Sequence, residues 1–258
     1  INSGSFLTRV DNHFNAKINK ILSKRSMEWM DFIFVAQDTS KTLKNKYPYL
    51  INKIYEIGRP VPNKYFETKT KIVTPIFKNK LITFFACSRA VEEKGVHLII
   101  KALSNLRDKN GTEIANFIYC GDGNFLEDLK SLAKKNYLKN VKFLGELDFD
   151  KMIDYYDQCY FFILPSYYLG ESFGRSWVEA MARKKPIIST NTANLKYIIR
   201  DEFNGILVDP SVQSVEKGID KALKLDEENY KLLCKNAGEF SLQFKQKNII
   251  NYTLNIVN

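Results

Sequence analysis

Between residues 81 and 210, short apolar runs alternate with stretches of helical periodicity, and this alternation narrows the possible folds more than any other feature of the chain. The runs are Leu81–Cys87, Asn116–Cys120, Val141–Gly145, Tyr160–Leu164 and Pro186–Thr190. They are too short for helices and their apolar residues do not alternate with polar ones, so they read as strands buried on both faces. Helical spacing lies between them: Val96 to Arg107, Phe125 to Tyr137 with Leu126, Leu129, Leu132 and Ala133 inward, and Lys151 to Gln158. Strands joined through helices pair in parallel, because the chain crosses back before the next strand begins. The expectation is an α/β fold, an open parallel sheet with helices on both faces. Beyond it come a short helix at Asn194 to Ile199, a hairpin or strand at Asn204–Pro210, and helices at about 212–225 and 228–240. A last segment, Gln243 to Val257, is apolar on one face through Ile249, Ile250, Leu254 and Val257.

The first 80 residues are less regular. Residues 1–15 show no pattern. A helix is predicted from Asn15 to about Trp29 and a strand at Asp31–Ala36. Asp38-Thr39-Ser40 offer caps for a helix from Lys41 to Lys46. A short strand at Ile51–Ile57 is broken by Gly58-Arg59-Pro60-Val61-Pro62-Asn63, since both prolines disfavour helix before them. Residues 58–80 read as a linker.

The chemistry concentrates after the run at Tyr160–Leu164, in Pro165-Ser166-Tyr167-Tyr168-Leu169-Gly170-Glu171-Ser172-Phe173-Gly174-Arg175-Ser176-Trp177-Val178-Glu179-Ala180-Met181-Ala182. Phe173, Trp177, Val178 and Met181 fall at helical intervals, giving a strand, a glycine-bearing loop and a helix start. Free N–H groups at a helix start attract anions. Two carboxylates nevertheless stand there, Glu171 and Glu179, eight residues and a little over two helical turns apart, which places both on one side. Separately, each has an ordinary reading, as a dipole complement or part of a solvated face. Together, the stretch closely resembles the sugar-nucleotide site of retaining glycosyltransferases of family 4, which have the GT-B fold. That signature opens as Glu-x-Phe-Gly and closes as Glu-Ala-Met-Ala. Arg175 departs from it, standing where the family commonly has a small or aliphatic residue.

Three further segments share the resemblance. Ser88-Arg89 and Lys94-Gly95 resemble the family's diphosphate loop, usually Gly-Arg followed by Lys-Gly, with Ser88 replacing the glycine. Gly121-Asp122-Gly123 matches its Gly-x-Gly after the second strand, although a bare Gly-x-Gly equally suits a tight strand-to-helix turn. Gly145 precedes Glu146 and Leu147, whose backbone the resemblance places at the base. The likeness covers about 81–240 well and 30–80 loosely. It implies a partial N-terminal Rossmann-like portion at 1–57, the linker at 58–80, a nucleotide-sugar domain at 81–240, and a final helix at 241–258 packing back on the N-terminal portion. Most of the N-terminal domain would then lie outside this sequence.

The implied roles follow. Glu179 holds the ribose hydroxyls, Arg89 and Lys94 neutralise the diphosphate with help from the helix-start N–H groups near Gly174 and Arg175, and Glu171 with the amides of Ser172, Phe173 and Gly174 holds the sugar. Transfer would retain anomeric configuration without a metal. No cofactor is expected; a nucleotide-diphosphate sugar of UDP or GDP type is the donor substrate, and a glycan or lipid the acceptor. The alternatives are a non-catalytic donor-binding subunit and, on the same fold, a basic membrane- or nucleic-acid-binding protein.

Charge bears on the last alternative. Residues 1–80 hold 15 Lys and Arg against 6 Asp and Glu, and the remainder 24 against 23. The basic first third suits peripheral contact with an anionic membrane or, equally, ordinary solvated lysines. Zinc spacing, RNA-binding aromatic signatures and basic heptads are all missing, so nucleic acid is not expected. Cys87, Cys120, Cys159 and Cys234 are scattered, mostly in apolar stretches, and read as reduced residues of a cytoplasmic protein. His13 and His97 read as packing or surface residues.

Overall fold

The computed structural model describes residues 33–35, 37–67, 81–107, 112–169 and 173–257. The helix expected at Asn15–Trp29 lies outside the described residues, as do His13, Gly170, Glu171 and Ser172. The chain divides after Ile57 into a small and a large compact unit.

In the small unit, β1 (Ile33–Val35) and β2 (Ile54–Glu56) pair in parallel, with Ile33 opposite Ile54. Parallel pairing needs a crossover, which α1 (Gln37–Lys46) and a 3-10 turn (Pro48–Lys53) supply. The turn takes the first residues of the strand expected from Ile51. Ile33, Leu43, Tyr47, Leu50 and Ile54 form the core. Ser40 is not a cap. Helix α1 starts upstream of it, and its buried hydroxyl donates to Glu56 Oε1 at 2.9 Å.

The large unit runs β3 (Ile82–Cys87), α2 (Val96–Asn105), β4 (Ala115–Cys120), α3 (Leu126–Lys135), β5 (Val141–Phe143), α4 (Phe149–Gln158), β6 (Phe161–Leu164), α5 (Arg175–Ala182), β7 (Ile187–Thr190), β8 (Gly205–Val208), α6 (Val212–Leu223), α7 (Glu227–Ser241) and α8 (Gln246–Val257). Its six strands are parallel, in the order β5-β4-β3-β6-β7-β8. The segment at 204–210 is therefore the sixth strand and not a hairpin, because the chain crosses back through a 3-10 turn (Ala193–Tyr197) before entering it.

From β3 the chain winds outward through β4 and β5; from β6 it winds the other way. Right-handed crossovers then put α2 and α3 on one face and α5 on the other. Helix α2 packs against α3 and against α6, which follows the last strand, while α5 packs against α7. Phe84, Phe85, Phe161 and Phe162 are wholly buried in the central strands, which explains why those runs lack polar alternation.

Residues 58–67, expected to begin a linker, are instead bound to the large unit. Val61 N–H donates to Phe244 O at 2.8 Å, and Gln246 N–H donates to Val61 O at 3.0 Å. Tyr65 is buried, edge-on to Phe149 at 4.8 Å and Tyr156 at 6.0 Å. Aromatic burial outweighs the turn-forming prolines here. Among the described residues, no helix is long and apolar enough to cross a membrane.

Candidate functional site

Strand order reverses between β3 and β6, and in open α/β sheets ligands bind beyond the strand ends at such a switch point. The loops leaving these two strands are tied together. Tyr167 N–H donates to Glu93 O at 2.9 Å, and the Ser166 hydroxyl donates to the same carbonyl at 3.3 Å. The β4 loop closes from the other side, with Ala90 N–H on Asp122 O at 2.8 Å and Gly121 N–H on Gly145 O at 2.8 Å. At Gly121, φ is +141° and an added Cβ would stand 1.8 Å from the Ser88 carbonyl oxygen. Only glycine lets the two loops meet. The Gly-x-Gly thus has a structural reason at this edge, and it draws up the turn that carries exposed Glu146 and half-buried Leu147.

Lys94 ends a 3-10 turn (Glu92–Lys94) after β3 and is buried. Its ammonium lies 5.4 Å from the Trp177 ring centre and 5.5 Å from that of Tyr168. The ring faces attract the cation, so the β3 loop is held against the start of α5. Trp177 is fixed in turn, its indole N–H donating to Ser189 Oγ at 2.9 Å. Arg89 is exposed on the same loop as Lys94.

Helix α5 begins at Arg175, later than the sequence spacing suggested. Gly174 precedes it at φ +72°, a left-handed conformation that stops the helix from extending upstream. The interval between Glu171 and Glu179 is therefore not two helical turns, and Glu179 sits one turn inside the helix. Phe173 lies before the helix with its side chain buried, edge-on to Phe244 at 5.2 Å. Only its backbone is available to a ligand at this loop. The first-turn N–H groups of α5 have no partner within the helix and give this end its anion-binding character.

Glu179 is 8% exposed. Its Oε1 accepts from Arg175 Nε at 2.8 Å, and its Oε2 lies 3.2 Å from the Tyr156 hydroxyl. The Tyr65 phenol stands close enough to interact with the same carboxylate. Burial pushes the Glu179 carboxyl above the ordinary value of 4.5, against the opposing pull of the Arg175 charge and the two tyrosine hydroxyls. The same proximity and burial raise the Tyr65 and Tyr156 phenols, which stay neutral donors.

Tyr65, Tyr156 and the pair that positions them were not visible as site residues in the sequence. Arg183, at the far end of α5, forks onto Asp157 of α4 at 2.7 and 2.5 Å and donates through Nη1 to the carbonyls of Tyr65 and Glu67 at 3.2 and 2.8 Å. This clamp sets Tyr65 over Glu179. The one available signal was an aromatic pair, Tyr65-Phe66, inside an otherwise polar, proline-bearing segment. His97 packs between the edges of Phe125 and Tyr167, at 5.9 and 6.4 Å, a packing role. All four cysteines are free thiols.

The family model for glycosyl transferases group 1 matches residues 67–239. The chain belongs to this family. Over 156 residues it is 33% identical to an uncharacterized glycosyltransferase of Methanocaldococcus jannaschii, covering 60% of this chain and 41% of that protein. A second glycosyltransferase of that archaeon is 30% identical over 261 residues, covering 96% of this chain and 63% of its own length. The chain thus spans less than two thirds of these group 1 relatives. A glycosyltransferase structure from Rickettsia africae matches with a TM-score of 0.77 at 24% identity, covering 96% of this chain and 66% of that one. HepE of Anabaena, solved with UDP and glucose, matches at 0.75 and 19% identity, covering 95% and 67%. These two likenesses show the shared GT-B-type α/β fold.

Proposed function

We propose that this chain carries the donor site of a retaining glycosyltransferase that moves a sugar from a nucleotide diphosphate to a glycan or lipid acceptor. The observation that carries the reading is Glu179, a buried carboxylate one turn inside the helix that starts at the switch point. A carboxylate has about four acceptor positions. Arg175 and Tyr156 already donate to it, which leaves room for a ribose hydroxyl. HepE, with UDP in the same fold, supports a nucleotide here.

In this reading the diphosphate lies between the N-terminus of α5 and the β3 loop, where Lys94 and Arg89 neutralise it. The base rests on the backbone at Gly121, Glu146 and Leu147, and the sugar on Glu171 with the amides from Ser172 to Gly174. The anomeric carbon–oxygen bond breaks with its electron pair on the diphosphate, and the acceptor hydroxyl oxygen bonds on the same face while its proton passes to the departing diphosphate. Stabilising the leaving charge supplies most of the rate gain. The basic charge of residues 1–80 supports peripheral contact with an anionic membrane that carries a lipid acceptor.

Calorimetric titration with UDP and GDP tests the site. One nucleotide should bind, and Glu179→Ala should weaken it by roughly 1.5–3 kcal/mol, as for a hydrogen bond to a charged group. Unchanged binding in the variant sinks the assignment. A turnover assay on the same chain separates an enzyme from a donor-binding subunit.

A further inference from the structure

We propose that Arg175 is a positioning residue of the donor site, one that holds the Glu179 carboxylate turned and charged as a ribose hydroxyl requires. The inference rests on the donor reading above. Arg175 departs from the signature that runs from Glu171 to Ala182, and the structure gives the departure a partner. Its Nε donates to Glu179 Oε1 at 2.8 Å across one helical turn. The Arg175 side chain is 58% exposed and that of Glu179 10%. The cation thus stands at the solvent mouth of a buried anion.

The groups facing Glu179 come from four elements. Arg175 is on its own helix, the Tyr156 hydroxyl comes from α4, and the Tyr65 hydroxyl comes from the segment bound under the Arg183 clamp. The Cys87 thiol at the end of β3 is the fourth, kept protonated by its neighbour Cys120 and by burial. Among the described residues that face Glu179, Arg175 is therefore the one cation, and the others are neutral. Without it, Glu179 is a buried carboxylate with neutral groups alone around it. Such a group takes up a proton more readily. A protonated carboxyl has given up part of its acceptor capacity, and a ribose hydroxyl loses its anchor.

Two measurements on Arg175→Leu, Arg175→Lys and the wild type decide the matter. The first follows the Glu179 side-chain carboxyl by carbon NMR across pH, with the resonance identified by its absence in Glu179→Gln. Its midpoint should rise by about one unit in Arg175→Leu and return most of the way in Arg175→Lys. The second titrates UDP and GDP over the same pH range. In Arg175→Leu, affinity for the nucleotide that binds should fall about tenfold below both midpoints and converge on the wild type above them. Loss of a surface contact alone would shift affinity equally at every pH. An unmoved Glu179 midpoint, or a pH profile parallel to the wild type, overturns the proposal and leaves the donor reading standing. A wild type that binds neither nucleotide overturns both.

Discussion

Helix α5 carries an arginine–carboxylate pair near each end, and the two are built differently. At its C-terminal end Arg183 meets Asp157 through two parallel hydrogen bonds and gives Nη1 to two backbone carbonyls. The Arg183 side chain is 3% exposed, and most of its hydrogen-bonding capacity is used within the protein. At its N-terminal end Arg175 meets Glu179 through Nε alone and faces solvent. The first pair closes on itself and fixes the fold. The second keeps donors on the cation and an acceptor position on the anion, as a site for a polar ligand demands. Saturation therefore tells architecture from function better than burial does, since Glu179 and Arg183 are both buried.

The largest expected effect tests the closed pair. Arg183→Met takes away the two hydrogen bonds that the guanidinium gives the Asp157 carboxylate and leaves the carbonyls of Tyr65 and Glu67 short of a donor. Breaking one partner of a buried pair costs about 3–5 kcal/mol, read by denaturant unfolding. The double variant Arg183→Met/Asp157→Leu should recover part of that loss, because no charge remains unpaired. A loss under about 1 kcal/mol in the single variant would place Arg183 among ordinary surface arginines.

This contrast also marks how far the sequence could be read. The sheet was legible because its strands are buried on both faces, so Phe84, Phe85, Phe161 and Phe162 write themselves as unbroken apolar runs. Lys94 and Glu179 were singled out because the segments that follow β3 and β6 resemble the family's motifs. The tyrosines that complete the Glu179 environment were not. Tyr156 looks like any inward residue of an amphipathic helix, and Tyr65 stands among prolines that signal a turn. Their roles depend on a contact made across the chain by Arg183, and local periodicity carries no trace of such a contact. The helix start was misjudged for a related reason, since Phe173 is apolar at helical spacing but is buried from outside the helix, against Phe244.

A middle-sized effect belongs to the open pair. Burial raises the Glu179 carboxyl above 4.5, so the folded chain holds that proton more tightly than the unfolded chain does. From 4.5 up to the raised value, stability therefore falls as pH rises, the reverse of an ordinary salt-bridged carboxylate. Glu179→Gln removes this dependence. Relative to the wild type, the variant should gain stability as pH rises from 4.5 to the raised value of the carboxyl, followed by thermal unfolding at each pH. A relative loss over that interval would mean that Arg175 and the tyrosines outweigh burial and that the carboxylate is net stabilising.

The smallest expected effect is the sharpest test of the comparison. Arg175→Leu removes a one-point contact from an exposed side chain, and exposed ion pairs contribute about 0–1 kcal/mol to stability. Leucine is also a good helix former, so the first turn of α5 is not weakened by propensity. Unfolding of this variant should be displaced by less than about 1 kcal/mol at neutral pH. A cost matching that of Arg183→Met would show that both ends of α5 are architecture, and the distinction between a closed and an open pair would fail. A small cost in stability, together with a large pH-dependent cost in nucleotide affinity, separates the two ends, because an interaction kept only for the fold has no reason to be weak where the ligand binds.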